Sequence, residues 1–385
     1  MSSLIAAHGL SCQRGFLPLE DPLLRLPKSF DDWETVAHSL PKQMASDHVR
    51  RTIEKLPPFP ISSLADEREL ERAMVLLSYL GHAYVWAGKL PADRLPEVIA
   101  VPWHAVAERL GRPPVLSYSS YSLHNFFRFD PHREIECGNI GLIQNFLGGI
   151  DEEWFILIHV DIEQKAGAGI AALHPCLDAA AESDADQLAE HLAIVRESLA
   201  RMRSTLLRMP EHCDPYIYYH RVRPYIHGWK NHPDLPHGVV YQGVSAYQGL
   251  PQQFRGETGA QSAIIPSMDA MLGIGHKEDA LRTYLMEMRL YMPPAHREFL
   301  RSLESRGSIR PFVDHANKTN LTGLYNACVE EVERFRSLHL EYAAAYIFRQ
   351  AQTDAKNPHA VGTGGTPFMP YLKKHRDETA EHVLR

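Results

Sequence analysis

Histidine is the first residue type in this chain that could do chemistry: there are 22 in 385 residues, and their spacing limits what they can hold. No two lie fewer than five positions apart, so neither HExxH nor any other histidine pair one helical turn apart occurs. Glu-x-x-His is missing as well, which removes the signature of di-iron carboxylate bundles. So dispersed a set disfavours zinc and di-iron sites. A haem, which needs only one protein imidazole per iron, passes the same filter.

The stretch that fits such a ligand is Val332 to Gln350, VERFRSLHLEYAAAYIFRQ. Val332, Phe335, Leu338, Tyr342, Ala345 and Tyr346 recur at the three- and four-residue spacing of one helical face, with Glu333, Arg334 and Glu341 mostly elsewhere. His339 lies beside that apolar stripe. Arg336 sits one turn earlier on nearly the same face, where a guanidinium could pair with a haem propionate. The helix alone leaves an alternative open, because a single histidine on an apolar helix is commonly a core imidazole hydrogen-bonded to a neighbour.

The elements that must position these residues are mostly helices, since long periodic segments dominate and strand-like alternation is scarce. Ser63-Leu-Ala-Asp66 reads as a capping box opening a helix through Trp86, and a second helix follows Pro102 and stops at Gly111. Gly148-Gly149 before Asp151 marks a boundary between a smaller first domain and a larger second one. From Asp151 a helix reaches Pro175, carrying His159 in its most apolar part; its small residues Ala166 to Gly169 would admit either a flat group or another helix. Asp184 to Met209 is amphipathic and reads as core. FRGETGAQS, Phe254 to Ser262, has the composition of a loop, IIPSMDAMLGI that of a buried helix, and Pro293-Pro294 suits the start of a helix ending near Gly307. GTGGT, Gly362 to Thr366, is a loop without the GK[ST] of a phosphate site, and reads equally as a linker or an active-site lid.

Length and charge bound the rest. A chain of 385 residues exceeds one ordinary core, so two domains sharing an interface are expected. Forty basic against 47 acidic side chains, a net charge of -7, leave no electrostatic footprint for nucleic acid or an anionic membrane. Five scattered cysteines without CxxC or CxxCH give neither a disulfide framework nor covalent haem attachment and point to a reducing compartment. The opening MSSLIAAHGLSCQRG has no basic leader, and no segment approaches a membrane span, so a cytoplasmic protein is expected.

Five strings, in order, resemble the indoleamine 2,3-dioxygenase family: VPWHAVAERLGRPPVLSY (101–118), HGWKNHPDLPHGVVYQG (227–243), MRLYMPPAHREFLRSLES (288–305), RSLHL around His339, and GTGGT. The resemblance covers most of the chain from about residue 60 onward. It implies an all-α, two-domain haem protein that opens the indole ring of tryptophan with dioxygen. The small N-terminal helical domain, 1–148, would cover the distal pocket, and the larger helical domain, 149–385, would bind haem b, active as ferrous iron. It further implies the substrates L-tryptophan or a close indole analogue and O2, an unidentified reductant, and a monomer.

Position by position, His339 matches the family's proximal haem ligand, Arg336 an arginine near the propionates, and Asp269 an acidic residue supporting that region. Arg223 matches the arginine that pairs with the substrate carboxylate, and Tyr218 an aromatic residue packed on the substrate. The chemistry agrees, because a zwitterion in a dry pocket needs a fixed bidentate partner; a surface or interhelical salt bridge is the alternative for Arg223. Phe155, Tyr118 and Thr363 match a pocket aromatic, a pocket tyrosine and the lid threonine, and Thr258 and Gly259 fall in the substrate loop.

The chain departs from mammalian members at three places. His159 stands where they carry serine, resembling the distal residue of tryptophan 2,3-dioxygenases; a neutral imidazole there could accept a hydrogen bond from the indole N–H and so orient the C2–C3 bond, the alternative being a core histidine. Tyr121 and Ser122 replace smaller or apolar pocket residues. Glu257 stands where the family usually has glycine, and could meet the substrate ammonium or face solvent. Three other functions compete: a related haem enzyme that rearranges a modified tryptophan in natural-product biosynthesis, a reversible oxygen-binding protein, and a haem-free helical scaffold.

Overall fold

In the computed structural model, which describes residues 5–46, 48–353, 363 and 368–384, helices carry the architecture and strands are confined to two two-stranded sheets. The principal helices are α1 (Asp31–His38), α2 (Glu67–Trp86), α3 (Glu97–Arg109), α4 (Ile150–Ala181), α5 (Ala185–Leu206), α6 (Ile264–Leu272), α7 (Pro294–Glu304), α8 (Thr319–Ala343) and α9 (Phe368–Ala380). Strands β1 (Arg94–Leu95) and β4 (Val240–Tyr241) pair in parallel, while β2 (Phe126–Arg128) and β3 (Ile140–Leu142) pair antiparallel. Among the described residues no helix is long and apolar enough to cross a membrane, and all five cysteines are free.

Several helix limits differ from the sequence reading, each for a local reason. Asp66 rather than Ser63 caps α2: its carboxylate accepts from Glu69 N at 2.9 Å while Glu69 accepts from Ala65 N at 2.7 Å, so the reciprocal box lies three residues later. Pro102 lies inside α3 instead of before it, and Pro175 lies inside α4 instead of at its end. A proline costs a helix one backbone bond, but here burial of Trp103, Val106 and Ala107 in α3 and of Leu173, Cys176 and Leu177 in α4 outweighs that loss. The small residues of α4 serve packing. A Cβ on Gly169 would run into Ser198 of α5, and one on Gly167 into the Cys12–Gly15 backbone, so helix and chain approach there in place of a flat ligand.

The apolar core forms two large clusters. One gathers Trp33, α2 and α3 with Tyr121 and Phe146, and also takes in Ile226, Trp229, Tyr241 and Tyr291 from later in the chain. The other is built on α4, α5, α6 and α8, which pack in series, with α9 on the outer side of α8. Buried ion pairs brace the first cluster: Glu34 of α1 meets Arg72 of α2 at 2.6 Å, and Glu71 takes Arg112 in a two-pronged contact that holds its carboxyl at about 2 against the burial that would raise it.

His82 links the first cluster to the later segment. It is fully buried; Nδ1 donates to Tyr225 O at 2.8 Å and Nε2 accepts from Leu116 N at 3.0 Å, an arrangement only the neutral ring can satisfy. Burial lowers its pKa to about 3, from 6.5 in a free histidine. Below pH 6.5 the unfolded chain therefore binds a proton the folded one refuses, and stability falls by up to about 1.4 kcal/mol per pH unit until the folded ring titrates. Thermal melts of His82→Gln should start lower than wild type at pH 7.5 but fall less steeply between pH 6.5 and 4; parallel slopes would contradict this account.

Candidate active site

Three side chains project from one face of α4 at successive turns: Phe155, His159 and Glu163. His159 Nδ1 lies 2.7 Å from Phe155 O. A carbonyl only accepts, so Nδ1 carries the proton and Nε2 keeps its lone pair; burial lowers the pKa, and the ring is neutral near pH 7. Around it stand the aromatic residues expected in the pocket. Phe155 packs on His159 at 4.7 Å between ring centres and on Tyr218 at 4.5 Å, Tyr118 meets His159 edge-on at 6.0 Å, and Tyr121 lies between Phe155 (6.4 Å) and Tyr79 (6.2 Å). Ser122 is buried in the same π-helical turn as Tyr121, Ser119–Leu123, and among the described residues no hydrogen bond ties its hydroxyl to the others.

His339, on α8, is exposed by area, yet it stands so deep in protein that burial, followed by the charge of His159, pulls its pKa down to about 4. A side chain both open and deep borders an internal space, and His159 lies within electrostatic reach of it. No described group hydrogen-bonds either nitrogen of His339, so it is not the satisfied core imidazole that the helix alone would allow. One turn back, Arg336 is buried and donates to Asp269 Oδ2 at 2.6 Å and to the Thr379 hydroxyl of α9. Burial works to raise the Asp269 pKa, but Arg336 and His276 outweigh it and hold the carboxyl below its usual range.

Arg223 begins the 3-10 turn Arg223–Ile226 directly after the π-helical turn Tyr218–Val222. It is 1% exposed, lies 5.4 Å over the Tyr219 ring and acts electrostatically on the Tyr218 hydroxyl, so it belongs to the interior and not to a surface salt bridge. The chain beyond it runs against the Phe254–Ser262 loop. Trp229 N and Lys230 N both donate to Phe254 O, Glu257 N donates to Ile226 O at 3.1 Å, and Gly228 and Gly256 touch backbone to backbone where neither could carry a Cβ. Thr363 joins this pair of segments: its hydroxyl donates to Glu257 O at 2.5 Å and its carbonyl accepts from Gly228 N at 3.4 Å. The rest of GTGGT lies outside the described residues. Thr258 caps the turn Gly259–Gln261, and Gly259 has open space around it.

Two contributors escaped the sequence reading. Glu163 accepts from Tyr118 Oη at 2.9 Å and Ser262 Oγ at 2.8 Å, and burial, partly offset by those bonds, raises its pKa to about 7. Its position eight residues after Phe155 was the available signal. Gln261 stitches the loop to the pocket wall by accepting from Tyr118 N and donating to Gly256 O, each at 2.9 Å; a single glutamine in a loop gives no such signal.

The family model described as indoleamine 2,3-dioxygenase matches residues 5–382. The chain belongs to the indoleamine 2,3-dioxygenase family. It is 33% identical to human "Indoleamine 2,3-dioxygenase 2" (99% of this chain, 95% of the relative), 34% to the Saccharomyces cerevisiae "Indoleamine 2,3-dioxygenase" (98% and 93%) and 34% to "Indoleamine 2,3-dioxygenase acdA" of Aspergillus candidus (98% and 96%). Membership makes it a haem-dependent oxidoreductase. The residues fit that group: among the described residues nothing hydrogen-bonds the open imidazole of His339, a neutral histidine lies within electrostatic reach of it, and a guanidinium stands one turn away.

The Arg336–Asp269 pair is a testable part of this frame. Removing only the carboxylate leaves a buried guanidinium short of its partner, so Asp269→Ala should destabilise the apoprotein by about 3–5 kcal/mol, and Asp269→Ala with Arg336→Met by clearly less. Urea unfolding of the single and double variants measures the coupling; additive losses would deny it.

Proposed function

We propose that this indoleamine 2,3-dioxygenase family member cleaves the C2–C3 bond of L-tryptophan with O2 to give N-formylkynurenine. The observation that carries the reading is the convergence of His159, Phe155, Tyr218, Tyr118 and Tyr121 in one aromatic cluster within electrostatic reach of His339. In this reading His339 would hold the iron of haem b, and Arg336, braced by Asp269, would meet its carboxylates. Bound ferrous haem supplies the activation of dioxygen. The two-domain division at 148, with residues 149–385 holding the haem, belongs to the same proposal, as do a cytoplasmic monomer and an external reductant.

The protein's own part is binding and orientation. Arg223 receives the substrate carboxylate in a site dry enough for a two-pronged ion pair to hold one end of the molecule firmly. Phe155 and Tyr218 present ring faces and edges to a flat indole. His159 Nε2, left with its lone pair by the bond from Nδ1 to Phe155, accepts from the indole N–H and thereby fixes which edge of the ring faces the iron side. Thr363, bonded to both Gly228 and Glu257, closes the amino-acid end against water.

Haem-loaded, reduced protein given L-tryptophan in air should form N-formylkynurenine, seen by absorption and mass; no product would defeat the reading. His339→Ala should lose the haem absorbance band. Arg223→Ala should cost about 2–5 kcal/mol in kcat/KM, roughly 30- to 5,000-fold, and unchanged kinetics would remove Arg223 from the site. N1-methyltryptophan, which lacks the indole N–H, should be a poorer substrate than tryptophan for the wild type, and equal turnover would reject the His159 contact.

A further inference from the structure

Glu257 is the one carboxyl of the substrate loop, and it is 4% exposed. Its backbone is fixed on both sides, N–H to Ile226 at the end of the turn that Arg223 begins and C=O to the Thr363 hydroxyl. Its carboxyl is different: among the described residues no group hydrogen-bonds it. A buried, unpartnered carboxyl is costly to keep charged and unusual to keep at all unless something pairs with it. Its surroundings are those of the aromatic cluster, for its charge reaches the hydroxyls of Tyr79, Tyr118, Tyr121 and Tyr218. Tyr218 feels both Arg223 and Glu257, with opposite sign, so both charges lie within electrostatic reach of the same phenol.

We propose that Glu257, held by its backbone at the end of the turn that Arg223 begins, is the ammonium-binding group of this pocket, and that it selects indoles carrying a free amine on the side chain. The assignment rests on reading the aromatic cluster as the substrate site. It explains why a carboxyl is tolerated in so dry a place: the ammonium of an amino acid brings the opposite charge that Glu257 otherwise lacks. The proton balance follows. Burial alone raises the Glu257 pKa to about 8, so near pH 7 the free protein holds mostly the acid, and no other charged group acts on it appreciably. When the ammonium arrives, the carboxyl gives its proton to the buffer and the carboxylate pairs with the cation.

Three ligands separate the possibilities: L-tryptophan, tryptamine (ammonium without carboxylate) and indole-3-propionate (carboxylate without ammonium). Each is titrated calorimetrically into haem-loaded wild type and Glu257→Gln at pH 7, in two buffers of different ionisation enthalpy. Expected are a roughly ten-fold or greater weakening of tryptophan and tryptamine in the variant, the scale of one lost charge-assisted bond, with release of close to one proton in the wild type only. Indole-3-propionate should bind both proteins equally, which also shows the variant folded. Tryptophan or tryptamine bound equally by both proteins, or without proton release, would overturn the assignment. Tryptamine weakened by Glu257→Gln in a protein that forms no formylkynurenine would uphold Glu257 while defeating the tryptophan reading.

Discussion

The backbone contact between Gly228 and Gly256 is the constraint on which the Arg223 and Glu257 end of the pocket depends. Two polar main chains approach so closely there that no side chain fits between them, and the hydrogen bonds from Trp229 and Lys230 to Phe254 lock the register. Through that contact the turn containing Arg223 and the loop containing Glu257 become one rigid piece, although about thirty residues separate them in sequence. Glu287 clamps the outside by pairing with both Lys230 (2.6 Å) and Arg255 (2.8 Å). Thr363 then has a fixed surface to close on.

On the other side of the pocket, chemistry is set by burial acting on imidazoles. His82, His159 and His339 are all driven toward the neutral form, but their hydrogen bonding differs. His82 uses both nitrogens within the fold, and its role is to join two parts of the core. His159 uses one and keeps the other for what enters the pocket. His339 has neither engaged among the described residues. The series runs from an imidazole fully engaged within the fold to one with no described hydrogen bond, and the number of ring nitrogens left unengaged distinguishes its members.

The C-terminal helix contributes to the His339 side without reaching it directly. Thr379 of α9 accepts from Arg336, and Glu378 accepts from or shares a proton with His276 at 2.8 Å, so α9 lies behind the guanidinium as a second wall. His276 also lies 3.4 Å from Asp269 Oδ2 and stacks on His375 at 4.1 Å between centres. Charges in this group are paired at short range, which is what allows an arginine one turn from His339 to stay buried.

Much of this was written in the chain itself. The helical period around His339, the apolar face of α5, the loop at Phe254–Ser262 and the family strings all depend on local pattern, and local pattern survives folding because burying an apolar stripe and ending a helix at glycine are decided within a few turns. Proline signals misled at Pro102 and Pro175, where tertiary burial outweighed a local penalty. What sequence left open was every question of partner: whether His339 is a satisfied core imidazole, whether the small residues of α4 receive a ligand or a helix, and whether Glu257 faces water. Those answers come from contacts between segments tens to hundreds of residues apart, and a charge or a lone pair has no fixed meaning until the fold determines what surrounds it.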